Sequence, residues 1–167
     1  LSPGDKASNP PQGAAELELA MAVWTPGSYL VREFARHVEG LAASDETGRP
    51  LAARKVRKNR WAVSTGGAER VVVRYRLYCR QMSVQTNFID STFALLNAAG
   101  VFLTRPAANH VAHEVRLELP AGWARSISPL PALDGVPHGY LAADFDTLVD
   151  SPLYAGNATL YEFAVDG

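Results

Sequence analysis

Arg70-Val71-Val72-Val73-Arg74-Tyr75-Arg76-Leu77-Tyr78-Cys79-Arg80 decides the fold class, because its side chains sort at every second position. Val71, Val73, Tyr75, Leu77 and Cys79 fall on one face of an extended chain, and Val72, Arg74, Arg76, Tyr78 and Arg80 fall on the other. This is the period of a half-buried strand whose outer face mixes charge with apolar stems. Cys79, on the inward face, reads as a core residue, since a reactive thiol would need an exposed, electropositive pocket and a nearby base. Upstream, Gly66-Gly67 reads as a hairpin-type connection, Trp61-Ala62-Val63 as a short strand and Thr47-Gly48 as a turn. Further back, Leu17, Leu19, Met21 and Val23 alternate with Glu16, Glu18, Ala20 and Ala22, predicting a strand over residues 16–23.

Downstream, Asn97-Ala98-Ala99-Gly100 reads as a turn into Val101-Phe102-Leu103, and residues 114–119 alternate again until Pro120 stops them. Residues 128–138 are rich in Pro and Gly and read as a loop before two last elements at 139–149 and 159–165. Residues 29–38 fit either a short helix, with Leu30, Phe34 and Val38 on one face, or an extended segment. Short strands with frequent turns and no long amphipathic helix predict an all-β fold: an antiparallel β-sandwich or barrel-like domain with at most short helices. Pro3, Gly4, Pro10, Pro11 and Gly13 make residues 1–14 read as a flexible tail, leaving residues 15–167 as a single β domain.

The 167 residues suffice for one domain that removes about two-thirds of its unfolded surface from water. Sixteen Lys and Arg against seventeen Asp and Glu give a net charge of −1, which argues against a general nucleic-acid or anionic-membrane binder. No apolar run approaches the ~20 residues of a membrane-spanning helix, and residues 1–13 do not resemble a signal peptide. The chain begins at Leu1 rather than Met, which reads as a piece of something longer or a mature form. Its single cysteine forms no intrachain disulfide and leaves the redox compartment open.

No motif completes a catalytic or metal site. His110-Val111-Ala112-His113-Glu114 suggests the helical zinc motif H-E-x-x-H, but the fourth position after His113 is Leu117, and the alternation from Glu114 onward is that of a strand. Surface histidines flanking a strand are the better reading, and His37 and His138 stand alone. Asp144, Asp146 and Asp150 lack the Gly and Glu of a calcium loop and read as helix caps or a solvated turn. Asn157-Ala158-Thr159 matches a glycosylation triplet that matters only in a secretory route. Ser28 lies outside any nucleophile elbow. The basic run Arg54-Lys55-Val56-Arg57-Lys58-Asn59-Arg60 reads as a solvated strand or hairpin edge rather than a nucleic-acid surface.

One segment is more particular. In Trp24-Thr25-Pro26-Gly27-Ser28-Tyr29-Leu30-Val31-Arg32-Glu33-Phe34, Pro26 fixes its own φ and Gly27 accepts a positive one, so the pair predicts a sharp corner crowded with aromatics and Arg32. This segment resembles the W-x-P-G-S-Y-x-x-R-x-F motif of the glycyl aminopeptidase family of zinc metallopeptidases. The likeness continues through Gly48, residues 58–61, 75–77 and 97–103, and ends in Leu148-Val149-Asp150-Ser151-Pro152 with Gly156. It departs at Asn97-Ala98-Ala99-Gly100, where an Asn-Gly pair is common in the family, and in the polar tail, which stands where a first strand is expected.

The resemblance implies a non-catalytic N-terminal domain of a zinc-dependent aminopeptidase. By that likeness the zinc and its H-E-x-x-H ligands belong to a following catalytic domain that this chain does not contain. No cofactor, metal ligand or catalytic residue is expected in this chain, which alone would not be an enzyme. Its expected partners are the catalytic domain of the same polypeptide and, in the parent enzyme, a peptide substrate whose cleft this domain helps to shape. Neither nucleic acid nor membrane is expected. Tyr29, Arg32, Glu33 and Asp150 are the interdomain or substrate-end candidates: Glu33 to pair with a substrate ammonium, Arg32 to make a bidentate interdomain contact. A role for Tyr29 and Arg32 that only locks the corner by packing and backbone hydrogen bonds is an equal reading. A different class of function, a stand-alone β-sandwich module binding peptide or carbohydrate through Trp24 or Trp123, would show a concave site with a few polar groups.

Overall fold

The alternation of Leu17, Leu19 and Met21 makes β1 (Glu16–Met21) an inner strand of a four-stranded sheet in the computed structural model, which describes residues 15–25, 30–83, 85–161 and 163–164. β1 lies between β5 (Arg60–Ser64) and β9 (Leu103–Thr104), and β4 (Ala53–Arg57) forms the edge beyond β5. All pairings are antiparallel. The register sets Leu17 opposite Val63 and Leu19 opposite Trp61, so the large apolar side chains share the inner face. On the outer face Arg54 reaches Glu16 at 2.8 Å and Arg60 pairs with Glu18.

A second sheet faces this one. Its order is β3 (Pro50–Leu51), β2 (Val38–Asp45), β6 (Val71–Leu77). Between the two sheets Leu19, Met21, Trp61 and Val63 meet Ala43, with Val71, Val73 and Leu77 packed against them. Each such large side chain taken out of water contributes about 1.5–3 kcal/mol. Neither sheet closes on itself, so the sandwich-like arrangement holds and the barrel does not.

The second half builds on the first. β10 (His113–Arg116) pairs with β12 (Gly139–Ala142), and β7 (Phe88–Ile89), β8 (Phe93–Leu96), β11 (Arg125–Ile127) and β13 (Leu153–Gly156) form a sheet in the order β11-β13-β8-β7. α1 (Phe145–Val149) covers their core, starting at Asp144, whose carboxylate accepts from the Thr147 N–H at 2.7 Å. Val115, Tyr140, Phe145, Leu148 and Leu153 form this second cluster. Ala22 and Val149 pack against both clusters and join them.

Several expectations are corrected. Gly66 and Gly67 do turn the chain, with φ of +58° and +85° and Ala68 N–H donating to Thr65 C=O at 3.0 Å. The strands on either side do not pair, however: β5 belongs to the first sheet and β6 to the second. The double glycine is a crossing between layers rather than a hairpin. Of residues 29–38, those from 30 onward combine both readings, since a 3-10 turn at Phe34–His37 leads directly into β2. Ala98–Gly100 is likewise a 3-10 turn, and the strand after it is confined to Leu103–Thr104. Among the described residues the last strand is Leu153–Gly156, and those of 159–165 carry none. His113 opens β10 instead of flanking it on the surface, and its Nδ1 is buried. Cys79 is buried as expected, and burial pushes its thiol up from the ordinary value. The tail at 1–14 lies outside the described residues.

Candidate functional site

The chain leaves β1 at Met21 and returns at Arg32, whose backbone N–H donates to the Val23 carbonyl. That bond pinches the base of the corner and fixes where its two arms leave the sandwich. The Pro26-Gly27 turn and Tyr29 lie outside the described residues. The arms themselves are notable for exposing apolar surface: Trp24, Leu30 and Val31 are 54%, 66% and 75% accessible. Single exposed apolar residues are ordinary; here three fall within eight positions of one chain segment.

The β4–β5 hairpin tip stands beside the corner. Asn59 docks it, accepting from the Met21 N–H at 3.0 Å through its backbone carbonyl and donating from Nδ2 to the Met21 carbonyl at 2.9 Å. Between tip and corner runs a groove of ≈ 640 Å³ with Arg32, Glu33, Arg36, Val56 and Lys58 on its walls. Lys58 Nζ reaches Glu33 Oε1 at 2.8 Å. The Lys58 ammonium holds the Glu33 carboxyl below its ordinary value, and Glu33 raises Lys58 in return. Both groups are largely solvated, so the pair contributes little to stability. Its consequence is chemical: an incoming ammonium at Glu33 must compete with Lys58.

Asp150 sits elsewhere. It ends α1, is exposed, and borders a separate groove of ≈ 390 Å³ together with Thr25, Asn97 and Pro152. A third groove, of ≈ 460 Å³, lies on the Trp24 side between Met21, Asn59, Phe145 and Val149. Arg32 and Glu33 therefore share one groove, and Asp150 faces another, with Val23-Trp24-Thr25 between them. Trp123, the other aromatic candidate, is half-buried and its indole N–H donates to the Ser91 carbonyl at 3.4 Å. It borders a shallow site with Phe93, Tyr154 and Asn157.

Sequence reasoning overlooked Lys58 and Asn59 as parts of the corner. Their role depends on a contact across 25 and 38 residues that no local period reports. The basic run is an edge strand with a hairpin tip, as its composition suggested. Among the described residues no three of His, Cys, Asp and Glu gather into a metal-binding cluster. His110 and His113 do not fit a zinc site either, because the His113 ring packs against Phe145 with centroids 5.7 Å apart.

Over residues 7–157 the sequence matches the Peptidase M61 N-terminal domain. Among solved structures, an aminopeptidase N family protein from Idiomarina loihiensis is similar, with a TM-score of 0.83 at 30% sequence identity. The match covers 90% of this chain and 26% of that one, so the chain spans about a quarter of that protein's length. Comparison with curated proteins gives no match. A family match running from the first strand through the last, on a fold shared with that aminopeptidase-family structure, carries one conclusion: the chain belongs to the Peptidase M61 N-terminal domain family.

Proposed function

We infer that this domain is the non-catalytic N-terminal part of a zinc-dependent, glycyl-aminopeptidase-like enzyme, and that it packs its corner against the catalytic domain and helps to shape the substrate cleft. The observation that carries the reading is the exposed apolar corner formed by Trp24, Leu30 and Val31. A domain that folds around two complete cores has no internal use for three accessible apolar side chains on one pinched segment, whereas an interdomain surface does. In this reading the zinc and its ligands belong to the catalytic domain, not to this one. What the domain supplies is position. Arg32, held by its backbone bond to Val23, presents a guanidinium suited to a bidentate contact across the interface, and Glu33 offers a carboxylate to a substrate ammonium in competition with Lys58. Asp150, which borders the groove on the other side of Val23-Trp24-Thr25, and Tyr29, which lies outside the described residues, are assigned to the same interdomain contact.

The intact parent enzyme tests this. Trp24→Ala combined with Val31→Asp is expected to lower kcat/KM for peptides with a free amino end by about tenfold or more. The same variant should increase hydrogen exchange on the catalytic-domain surface it uncovers. Unchanged kinetics and unchanged exchange in that variant, together with unchanged kinetics in Arg32→Ala and Glu33→Gln, would remove the interface reading.

A further inference from the structure

The groove between corner and hairpin tip carries a charge that the composition of the chain hides. The whole chain has a net charge of −1, yet the groove walls hold Arg32, Arg36, Lys55, Arg57 and Lys58 against one carboxylate, Glu33. Three of these cations are already engaged: Lys58 with Glu33 at 2.8 Å, Lys55 over the Trp61 ring at 5.1 Å from its centroid, and Arg32 in an interaction of its own. Arg36 donates from Nε to the His37 ring at 3.1 Å, and neither it nor Arg57 has an ion pair among the described residues. Uncompensated guanidinium groups along a concave wall focus a positive potential, and each presents a fork that matches a carboxylate.

The shape of the groove restricts the occupant further. One wall is the unbroken stretch Lys55 to Asn59, and the other includes Val31, Arg32 and Glu33 in succession, so the site is a trough that follows two chain segments. Val23, Val31 and Val56 supply apolar surface between the charges. Polyanions such as nucleic acid have no use for those valines, whereas an extended peptide alternates its side chains and serves both surfaces at once.

We propose that this trough docks an extended peptide segment of mixed acidic and apolar character, with its carboxylates on Arg36 and Arg57 and its apolar side chains over Val56. It draws on Arg36, Arg57 and Val56, none of which the interdomain contact uses.

The test is a fluorescence-anisotropy titration of the 167-residue chain with a labelled Glu-Val-Glu-Val-Glu-Val-Glu peptide. Saturable binding is expected, weakened about tenfold or more by Arg36→Glu with Arg57→Glu, and weakened similarly between ~50 and ~500 mM NaCl. The Gln-for-Glu peptide should bind at least about tenfold less tightly, and Val56→Ser should weaken the acidic peptide. Circular dichroism checks that the variants fold, and Arg36→Gln with Arg57→Gln replaces the charge reversal if that variant unfolds. Absence of saturable binding, indifference to the arginine variants, or equally tight binding of an oligothymidine of equal charge would overturn the proposal.

Discussion

Asp45 shows how much structure one carboxylate can fix. It lies buried at the end of β2 and accepts four hydrogen bonds: from the Thr47 N–H and hydroxyl at 3.0 and 2.7 Å, and from the Arg49 N–H and Nε at 2.9 and 2.8 Å. Gly48, at φ +87°, completes the turn by donating to the Asp45 carbonyl at 3.1 Å. The Arg49 guanidinium and the Thr47 hydroxyl hold the carboxyl far below the usual carboxylate range. Because the folded value is depressed, the contribution is fully present above the unfolded value of ~3.9 and fades as pH falls below it. Asp45→Asn should therefore lower Tm at neutral pH, and its gap from the parent chain should narrow as pH drops below ~4. Thermal melts from pH 7 to pH 2 check this; a gap that stays constant would show that the charge plays no part. Thr47-Gly48 was legible as a turn in the sequence, but the carboxylate that organises it was not. Nothing in local spacing distinguishes Asp45 from its exposed neighbour Glu46.

Elements succeed or fail as readings according to whether their partners are local. β6 was legible because its alternation is intrinsic to one strand. The partner of a strand is not, which is why Gly66-Gly67 suggested a hairpin where the chain changes sheets, and why β13 lay unread between Pro152 and Gly156. The 3-10 turn Ala98–Gly100 is the sharpest example. Asn97 caps it by accepting from the Ala99 N–H at 3.1 Å, a local signal. Its other support is Asn87, buried ten residues upstream, which donates from Nδ2 to the Gly100 carbonyl at 3.0 Å and accepts from the Asn97 N–H at 2.7 Å. A Cβ on Gly100 would stand 3.1 Å from that Nδ2 and 3.3 Å from the Phe34 ring, so Asn87, Gly100 and the 3-10 turn ahead of β2 are packed as one unit. Asn87→Ala removes both bonds and leaves the backbone groups buried. Denaturant titration should show a loss of about 2–4 kcal/mol. Asn87→Asp restores one acceptor without the donor and should recover only part of it.

At the scale of the whole molecule, the question is whether two cores make one cooperative unit. The first cluster lies between the β4-β5-β1-β9 and β3-β2-β6 sheets, and the second lies under α1. Ala22, on the strand exit that leads into the corner, and Val149, at the end of α1, belong to the packing of both. The corner thus leaves the molecule where the two cores meet, so loss of either core would also release the base that pins Trp24 and Arg32. Leu153 tests the coupling because it is fully buried in the second cluster and is not part of the first. Leu153→Ala opens a cavity and should destabilise the chain by about 2–5 kcal/mol. If the cores unfold together, native-state hydrogen exchange will show that loss equally at the slowest amides of β1 and β5, far from the substitution, and at those of β12 and β13. Loss confined to β12 and β13 would mean that the second half opens alone, and that the corner can be freed from one side while the first sandwich stays folded.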